Sequence, residues 1–97
     1  MPIAEPVTLE EAKLHLRVEF EEDDALIASY ITAAREWAEG FLNTSLVAPD
    51  GEDAPEVKQT WKQAMLLTVA NWYQNRESGG IPNAAQYLLW PDRNVPT

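Results

Sequence analysis

The only histidine of the chain, His15, is the first residue to test for chemistry. Glu11 precedes it by four residues and Glu19 follows it by four, so on a helix the three side chains would share one face. A weak metal site could be built from such a set of imidazole and carboxylate ligands. A solvated helix face produces the same spacing, and we favour that interpretation.

Three other patterns resemble functional sites but lack an essential part. The carboxylates of residues 21–24 have neither the glycine nor the spaced glutamate of a calcium loop. No Gly-x-Ser-x-Gly elbow surrounds Ser29, Ser45 or Ser78. The glycine pair at 79–80 is not followed by the Lys-Ser or Lys-Thr of a phosphate-binding loop. We therefore predict that the protein is not an enzyme, with no catalytic residue, no cofactor and no metal.

Length and composition predict one folded domain over residues 1–97. Of these residues 45% are hydrophobic, including four Trp, three Tyr and two Phe, which is enough for one modest core. There is no cysteine, which excludes disulfides and thiolate metal sites. We recognise no signal peptide and no apolar run of the length that a membrane span needs, so we expect no membrane association.

The charge is strongly acidic. Sixteen Asp and Glu against seven Lys and Arg give a formal net charge of −9. Because duplex DNA is itself densely negative, direct binding of nucleic acid is disfavoured. The acidity is explained either by solubility or by a surface that DNA must pass without sticking.

Apolar residues recur at helical spacing along most of the chain, and we find no strand alternation. Thr8 and Glu11 form a capping box that begins the first helix. The pattern predicts an all-α fold, a bundle of three main helices plus a short C-terminal helix. The predicted helices cover residues 8–18, 23–42, 56–77 and 83–90, with a loop at 43–55 and a flexible tail at 91–97.

The end of the third predicted helix has two interpretations. Trp72 and the polar residues after it fit a core aromatic followed by a helix C-terminus, where Arg76 complements the helix dipole. A protein interface explains better why aromatic and polar side chains gather there and again shortly afterwards. The residues concerned are Tyr73, Asn75, Arg76, Tyr87 and Trp90.

Taken in order, these motifs resemble the head–tail connector (adaptor, or head completion) proteins of long-tailed bacteriophages. Residues 7–18, VTLEEAKLHLRV, are similar to the family's first helix, and EDDALI at 22–27 to the start of its second. WKQAMLL at 61–67, leading to WYQNRE at 72–77, resembles its most recognisable stretch. The segment NTSL at 43–46 and the ending WPDR at 90–93 depart from the family pattern.

The resemblance implies a structural virion protein assembled in the host bacterial cytoplasm and located at the head–tail junction. Such subunits form a ring, typically twelve-fold, which joins the portal protein to a stopper or tail-completion protein and extends the DNA channel. The C-terminal region of the family docks to the portal, which adds Leu88, Leu89 and Arg93 to the interface candidates. DNA would pass without specific binding, along a lumen to which we assign the acidic candidates Glu19, Glu21, Glu22, Asp23 and Asp24.

Two alternatives remain open at this point. One is another tail-completion protein, for which more strand would be expected. The other is an acidic helical inhibitor that mimics DNA and binds a basic host protein.

Overall fold

The computed structural model describes residues 5–47, 57–75 and 80–92. In these ranges the chain forms four α-helices, which we number α1 (Leu9–Leu16), α2 (Asp24–Leu42), α3 (Gln59–Gln74) and α4 (Asn83–Leu89). A single 3-10 turn, Trp90–Asp92, follows α4 directly. No strand occurs in the described ranges, so the predicted all-α class, with three main helices and a short last one, is confirmed.

The helix α1 begins where its capping box is and ends earlier than predicted. Thr8 Oγ1 accepts a hydrogen bond from the Glu11 N–H at 3.1 Å, and Glu11 Oε1 accepts one from the Thr8 N–H at 3.0 Å. The C-cap residue is Arg17, in the left-handed region with φ 60°. The Val18 N–H then bonds back to the Lys13 carbonyl, which closes the helix end at Leu16.

The other observed ends differ from the predicted ones by at most three residues. Lys58 has extended backbone, so α3 begins at Gln59 and not at residue 56. Asn75 ends the helix, while residues 76 and 77 lie outside the described ranges. Pro91 and Asp92, placed in the tail by the sequence, belong to the 3-10 turn.

The two long helices run antiparallel. At one end, the Tyr73 hydroxyl near the end of α3 donates to Asp23 Oδ2 just before α2, at 2.6 Å. At the other end, the Phe41 ring late in α2 lies 6.2 Å from the ring of Trp90, whose turn is bonded to the start of α3. The helix α1 packs against α2 and α3, and α4 packs mainly along α3.

The core lies between these helices. It consists of apolar side chains from every helix and from the segments beside α1 and α2: Val7, Ala12, Ile27, Ile31, Ala34, Ala38, Leu42, Leu46, Ala64, Met65, Leu66, Val69, Ala85 and Leu89. Thr68 is also fully buried, and its hydroxyl donates to the Ala64 carbonyl at 2.9 Å, so no polar group is stranded there. Among the described helices, none has both the length and the apolar character needed to cross a bilayer.

Candidate docking surfaces at the two ends of the bundle

One end of the α2–α3 pair carries a chain of aromatic rings, which we call the aromatic end. The rings of Trp37 and Phe41 are 5.5 Å apart and tilted at 45°. Phe41 and Trp90 follow at 6.2 Å and 59°. Such tilted arrangements are favourable for ring pairs. Trp90 nevertheless keeps 61% of its surface exposed, which is unusual for so large an apolar side chain.

Asp92 fastens this end to the start of α3. Its carboxylate accepts one hydrogen bond from Lys58 Nζ at 2.6 Å and another from Trp61 Nε1 at 2.9 Å. The Lys58 ammonium also lies 5.8 Å from the Trp61 ring centroid, within cation–π range. The hydrogen bond from Lys58, followed by that from Trp61, lowers the pKa of Asp92. The turn that carries Trp90 is therefore held at a defined place.

The helix α4 has an inner and an outer face. Leu89 has no exposed surface, and Ala85 one turn earlier is likewise buried. Tyr87 is 74% exposed and Leu88 is half-buried. Leu89 was assigned to the docking surface from the sequence. The structure makes it a core residue, and the exposed aromatic side chains of this segment are Tyr87 and Trp90.

The two other described interface candidates, Tyr73 and Asn75, lie elsewhere. Tyr73 is half-buried at the opposite end, where its hydroxyl bonds to Asp23. Asn75 is exposed, and its Nδ2 donates to the Asn71 side-chain oxygen at 3.2 Å. Arg76 and Arg93 lie outside the described residues. The six candidates that the structure describes therefore do not form one continuous surface.

The opposite end of the α2–α3 pair, which we call the acidic end, contains the five carboxylates proposed for a lumen. Glu19, Glu21 and Glu22 are exposed on the connection between α1 and α2. Asp23 accepts the bond from Tyr73, and Asp24 forms an ion pair with Lys13 Nζ at 2.7 Å. Two of the five thus hold helices together, and three face solvent.

The end of α1 presents a small apolar surface that the sequence did not reveal. Leu14 is 81% exposed, and Phe20, on the connection to α2, is 49% exposed. Arg17 lies between them in sequence and is itself exposed. We call Leu14, Arg17 and Phe20 the α1 patch. The left-handed backbone of Arg17 is a conformation that glycine normally takes at a helix end.

A buried polar cluster, also missed from the sequence, lies between the two ends. Arg35 is only 8% exposed, although its neighbours on the helix suggested a polar face. Its Nε donates to Glu5 Oε1 at 2.9 Å and its Nη1 to Glu39 Oε1 at 3.0 Å. Hydrogen bonding to Glu5 raises the pKa of Arg35. Thr32 also donates to Glu5, and Glu39 accepts the Leu46 N–H, so the cluster ties the segments before α1 and after α2 to the middle of α2.

A family model described as the phage gp6-like head-tail connector protein matches residues 6–87. The chain belongs to this family. The resemblance drawn from the sequence is thereby confirmed, and the protein is a phage structural protein of the head–tail connector type.

A solved structure agrees with the family model. The crystal structure of bacteriophage HK97 gp6 is similar to this connector with a TM-score of 0.71 and 23% sequence identity. The similarity covers 89% of this chain and 91% of that chain, and at this identity it establishes the fold. No curated protein sequence matches this chain.

Membership of the family supports a connector role at the head–tail junction, in association with other head and tail proteins of a phage. It also suggests a structural rather than an enzymatic protein. The residues tested for chemistry have the following surroundings. His15 is exposed, while Glu11 is occupied by the Thr8 N–H and by Lys62 Nζ at 3.1 Å. The bond from the Thr8 backbone lowers the pKa of Glu11. Within the described ranges, no three His, Asp or Glu side chains gather where they could hold a metal.

An open cavity of about 420 Å³ lies beside the start of α1. Its lining includes Val7, Leu9 and Ile31, with Glu5, Thr8 and Thr32 as polar groups. The Thr32 hydroxyl donates to Glu5 Oε2 at 2.8 Å, Arg35 Nε donates to Glu5 Oε1, and Thr8 Oγ1 accepts the Glu11 N–H. Because these polar groups already have partners within the chain, the cavity offers no converging set for a small ligand.

Proposed function

We propose that this connector is a ring subunit located beneath the portal of a long-tailed phage. About twelve copies would join the portal to a stopper or tail-completion protein and would extend the DNA channel, after assembly in the host cytoplasm. A closed ring requires head-to-tail contacts, in which two different surfaces of each subunit meet around the circle. The proposal thus needs a subunit with several distinct exposed surfaces.

The observation that carries the proposal is the separation of two chemically different ends. The acidic connection precedes the first residue of α2, and Phe41, next to Trp90, lies near its last. The 19 residues of α2 put these ends about 27 Å apart along its axis. One subunit can therefore present aromatic side chains to a protein while its carboxylates face elsewhere.

The aromatic end is suited to docking. Exposed Trp and Tyr supply large contact areas with few rotatable bonds, so their burial costs little side-chain entropy. Trp90 is also held in place before any partner binds, because Asp92 fixes its turn to α3 and Phe41 contacts its ring. We assign Tyr87 and Trp90 to the contact with the portal.

The acidic end is suited to the channel. About twelve copies, each with a net charge of −9, would give a ring of roughly −100. Glu19, Glu21 and Glu22 are exposed and free to line a lumen. Like charges repel DNA, so a carboxylate-lined channel would keep the passing duplex mobile instead of binding it.

Copurification tests the proposal. Mixed with its cognate portal, the protein should form a stable complex, and Tyr87→Ser or Trp90→Ser should weaken it at least about tenfold by the loss of a buried ring. Ala84→Ser, at an exposed position on the same helix, serves as the matched control. Failure to bind the portal, together with capture of a basic DNA-binding host protein, would favour the DNA-mimic alternative.

A further inference from the structure

The described Lys and Arg side chains are almost all used inside the chain. Four of them make ion pairs with carboxylates of the same molecule: Lys13, Arg35, Lys58 and Lys62. Arg17 is the exception among the residues that the structure describes, since it is exposed and its side chain makes no ion pair or hydrogen bond. In a chain of net charge −9, this free cation is an unusual surface feature.

The free cation lies beside exposed apolar surface. Leu14 is 81% exposed on the last turn of α1, three residues before Arg17, and Phe20 follows three residues after it. Arg17 also occupies a left-handed position that glycine would adopt without steric cost. The fold therefore does not need an arginine there. The portal contact assigned above does not use this patch either.

We propose that the α1 patch of one connector docks on the exposed face of α2 in a second copy. Arg17 pairs there with Glu36 of the next copy, and Leu14 packs on Ala33 of that copy. The inference rests on the proposed ring and names the surfaces by which neighbouring subunits meet.

Charge complementarity selects a second copy as the partner. This chain exposes more carboxylates than it can pair, and Glu36 is an exposed one on α2 with no ion pair among the described residues. On α2, Ala33 lies three residues before Glu36, about 4.5 Å along the helix axis, so an apolar contact and an ion pair can be made side by side.

The α2 face is shaped to receive a side chain. Its exposed positions are mostly small: Ala25, Ala28, Ser29, Ala33 and Gly40. At Gly40 an added Cβ would meet no atom within 4 Å, so packing inside the chain does not require glycine. Because the α1 patch and this face differ, the contact is head-to-tail and can continue from copy to copy around a ring.

Chemical crosslinking tests the contact directly, since the chain contains no cysteine of its own. The double variant Leu14→Cys with Ala33→Cys, treated with a short bis-maleimide reagent, should give a ladder of dimers, trimers and higher species. Each single variant should give dimers at most, because one thiol per chain cannot propagate a ladder. The control pair Ala84→Cys with Ala33→Cys, with the first thiol at an exposed position on α4, should give no ladder.

A charge exchange provides the second arm. Arg17→Glu should weaken ring formation at least about tenfold, because a like-charge pair replaces the ion pair. Combining it with Glu36→Arg should restore the rings. Arg17→Gly removes the cation while keeping the left-handed turn. It should weaken ring formation with no loss of melting temperature, so misfolding cannot explain the defect.

The outcomes separate this inference from the proposed function. Both experiments are run on the free protein and on the protein bound to portal rings, with electron microscopy of each sample. Rings that form without the Leu14–Ala33 ladder, or that tolerate Arg17→Glu, overturn the inference and leave the ring intact. Loss of portal binding by Arg17→Glu with unchanged self-association also overturns it. Absence of rings in every sample contradicts the ring itself.

Discussion

At the acidic end of the α2–α3 pair, Asp23 accepts a hydrogen bond from Tyr73; at the aromatic end, Asp92 accepts bonds from Lys58 and Trp61. Both ends are thus closed by an aspartate that joins residues at least 31 positions apart in sequence. Their outer surfaces differ completely. One exposes glutamates, and the other exposes the rings of Tyr87 and Trp90.

The comparison indicates that stability and surface chemistry are separable in this small bundle. The closing contacts join segments that are far apart in sequence, while the side chains of the exposed glutamates and of Tyr87 make no such contact within the described ranges. We therefore expect substitutions to divide into those that unfold the protein and those that change only its partners.

The largest effect on the free energy of unfolding is expected within α4, where buried and exposed residues are close neighbours in sequence. Leu89→Ala should lower the free energy of unfolding by about 3 kcal/mol, because it leaves a cavity in the core. Tyr87→Ala should change it by less than about 0.5 kcal/mol, since that side chain is 74% exposed. Urea denaturation followed by circular dichroism measures both, and equal losses would contradict the assignment of the two faces.

The second largest effect on the free energy of unfolding is expected at Arg35, midway between the two ends of the α2–α3 pair. Arg35→Met should lower the free energy of unfolding by about 2–3 kcal/mol, because it leaves the carboxylates of Glu5 and Glu39 without their cationic partner. The cost stays below that of a fully buried pair, since the side chains of Glu5 and Glu39 remain 22% and 20% exposed. Arg35→Lys keeps the charge but loses the planar guanidinium group. Its free energy of unfolding, measured by the same denaturation experiment, should lie between those of Arg35→Met and the wild type.

A smaller effect is expected at the acidic end. Tyr73→Phe removes the hydroxyl that donates to Asp23 and keeps the ring, so we expect a loss of about 1 kcal/mol. Portal binding should be unchanged, because the ring surface of Trp90 lies at the other end. A Tyr73→Phe variant of normal stability but impaired portal binding would instead place Tyr73 in an interface.

The aromatic end should respond to acid through Asp92. The folded-state pKa of Asp92 is lowered from 3.8, because the ionised carboxylate accepts hydrogen bonds from Lys58 and Trp61. The stability that these bonds provide is therefore complete above the pKa of the unfolded chain and is lost as the pH falls through the pKa of the folded protein. Tryptophan fluorescence should therefore stay constant from about pH 7 to 5 and change below about pH 4. In Asp92→Asn this acid step of the Trp61 and Trp90 signals should be absent; its persistence would assign it to another carboxyl group.

The smallest effect on stability is expected from the exposed glutamates. Replacing Glu19, Glu21 and Glu22 by Gln should leave the unfolding transition in place, because all three are exposed and none closes the bundle. The same change should slow DNA ejection from assembled particles, since a less negative lumen repels DNA less. Unchanged ejection kinetics would remove these residues from the channel.

Features that depend on neighbouring residues were predictable from the sequence. The capping box of Thr8 and Glu11 is confirmed in both of its hydrogen bonds. It was predictable because the two residues are only three positions apart in the sequence. The long apolar stripes likewise predicted α2 and α3. The short α4 was harder. Seven residues carry too little periodicity to decide which of its leucines points inward. Leu89 was assigned to the docking surface only because the family resemblance placed the C-terminal region there.

Long-range pairing was not predictable in the same way. Arg35 looks like a surface residue until Glu5, thirty positions earlier, is brought against it by the packing of α1 on α2. Asp92 gains its role only when α4 folds back along α3 to reach Lys58. The α1 patch was missed because the pattern that extended the helix to residue 18 gives no sign of the left-handed turn at Arg17.

The most direct test of the account is cryo-electron microscopy of the protein bound to its cognate portal. We expect a ring in which Tyr87 and Trp90 are buried against the portal, while Glu19, Glu21 and Glu22 face the central channel. A map with the aromatic end exposed to solvent and the acidic end buried in the portal contact would contradict the account, as would the absence of any complex.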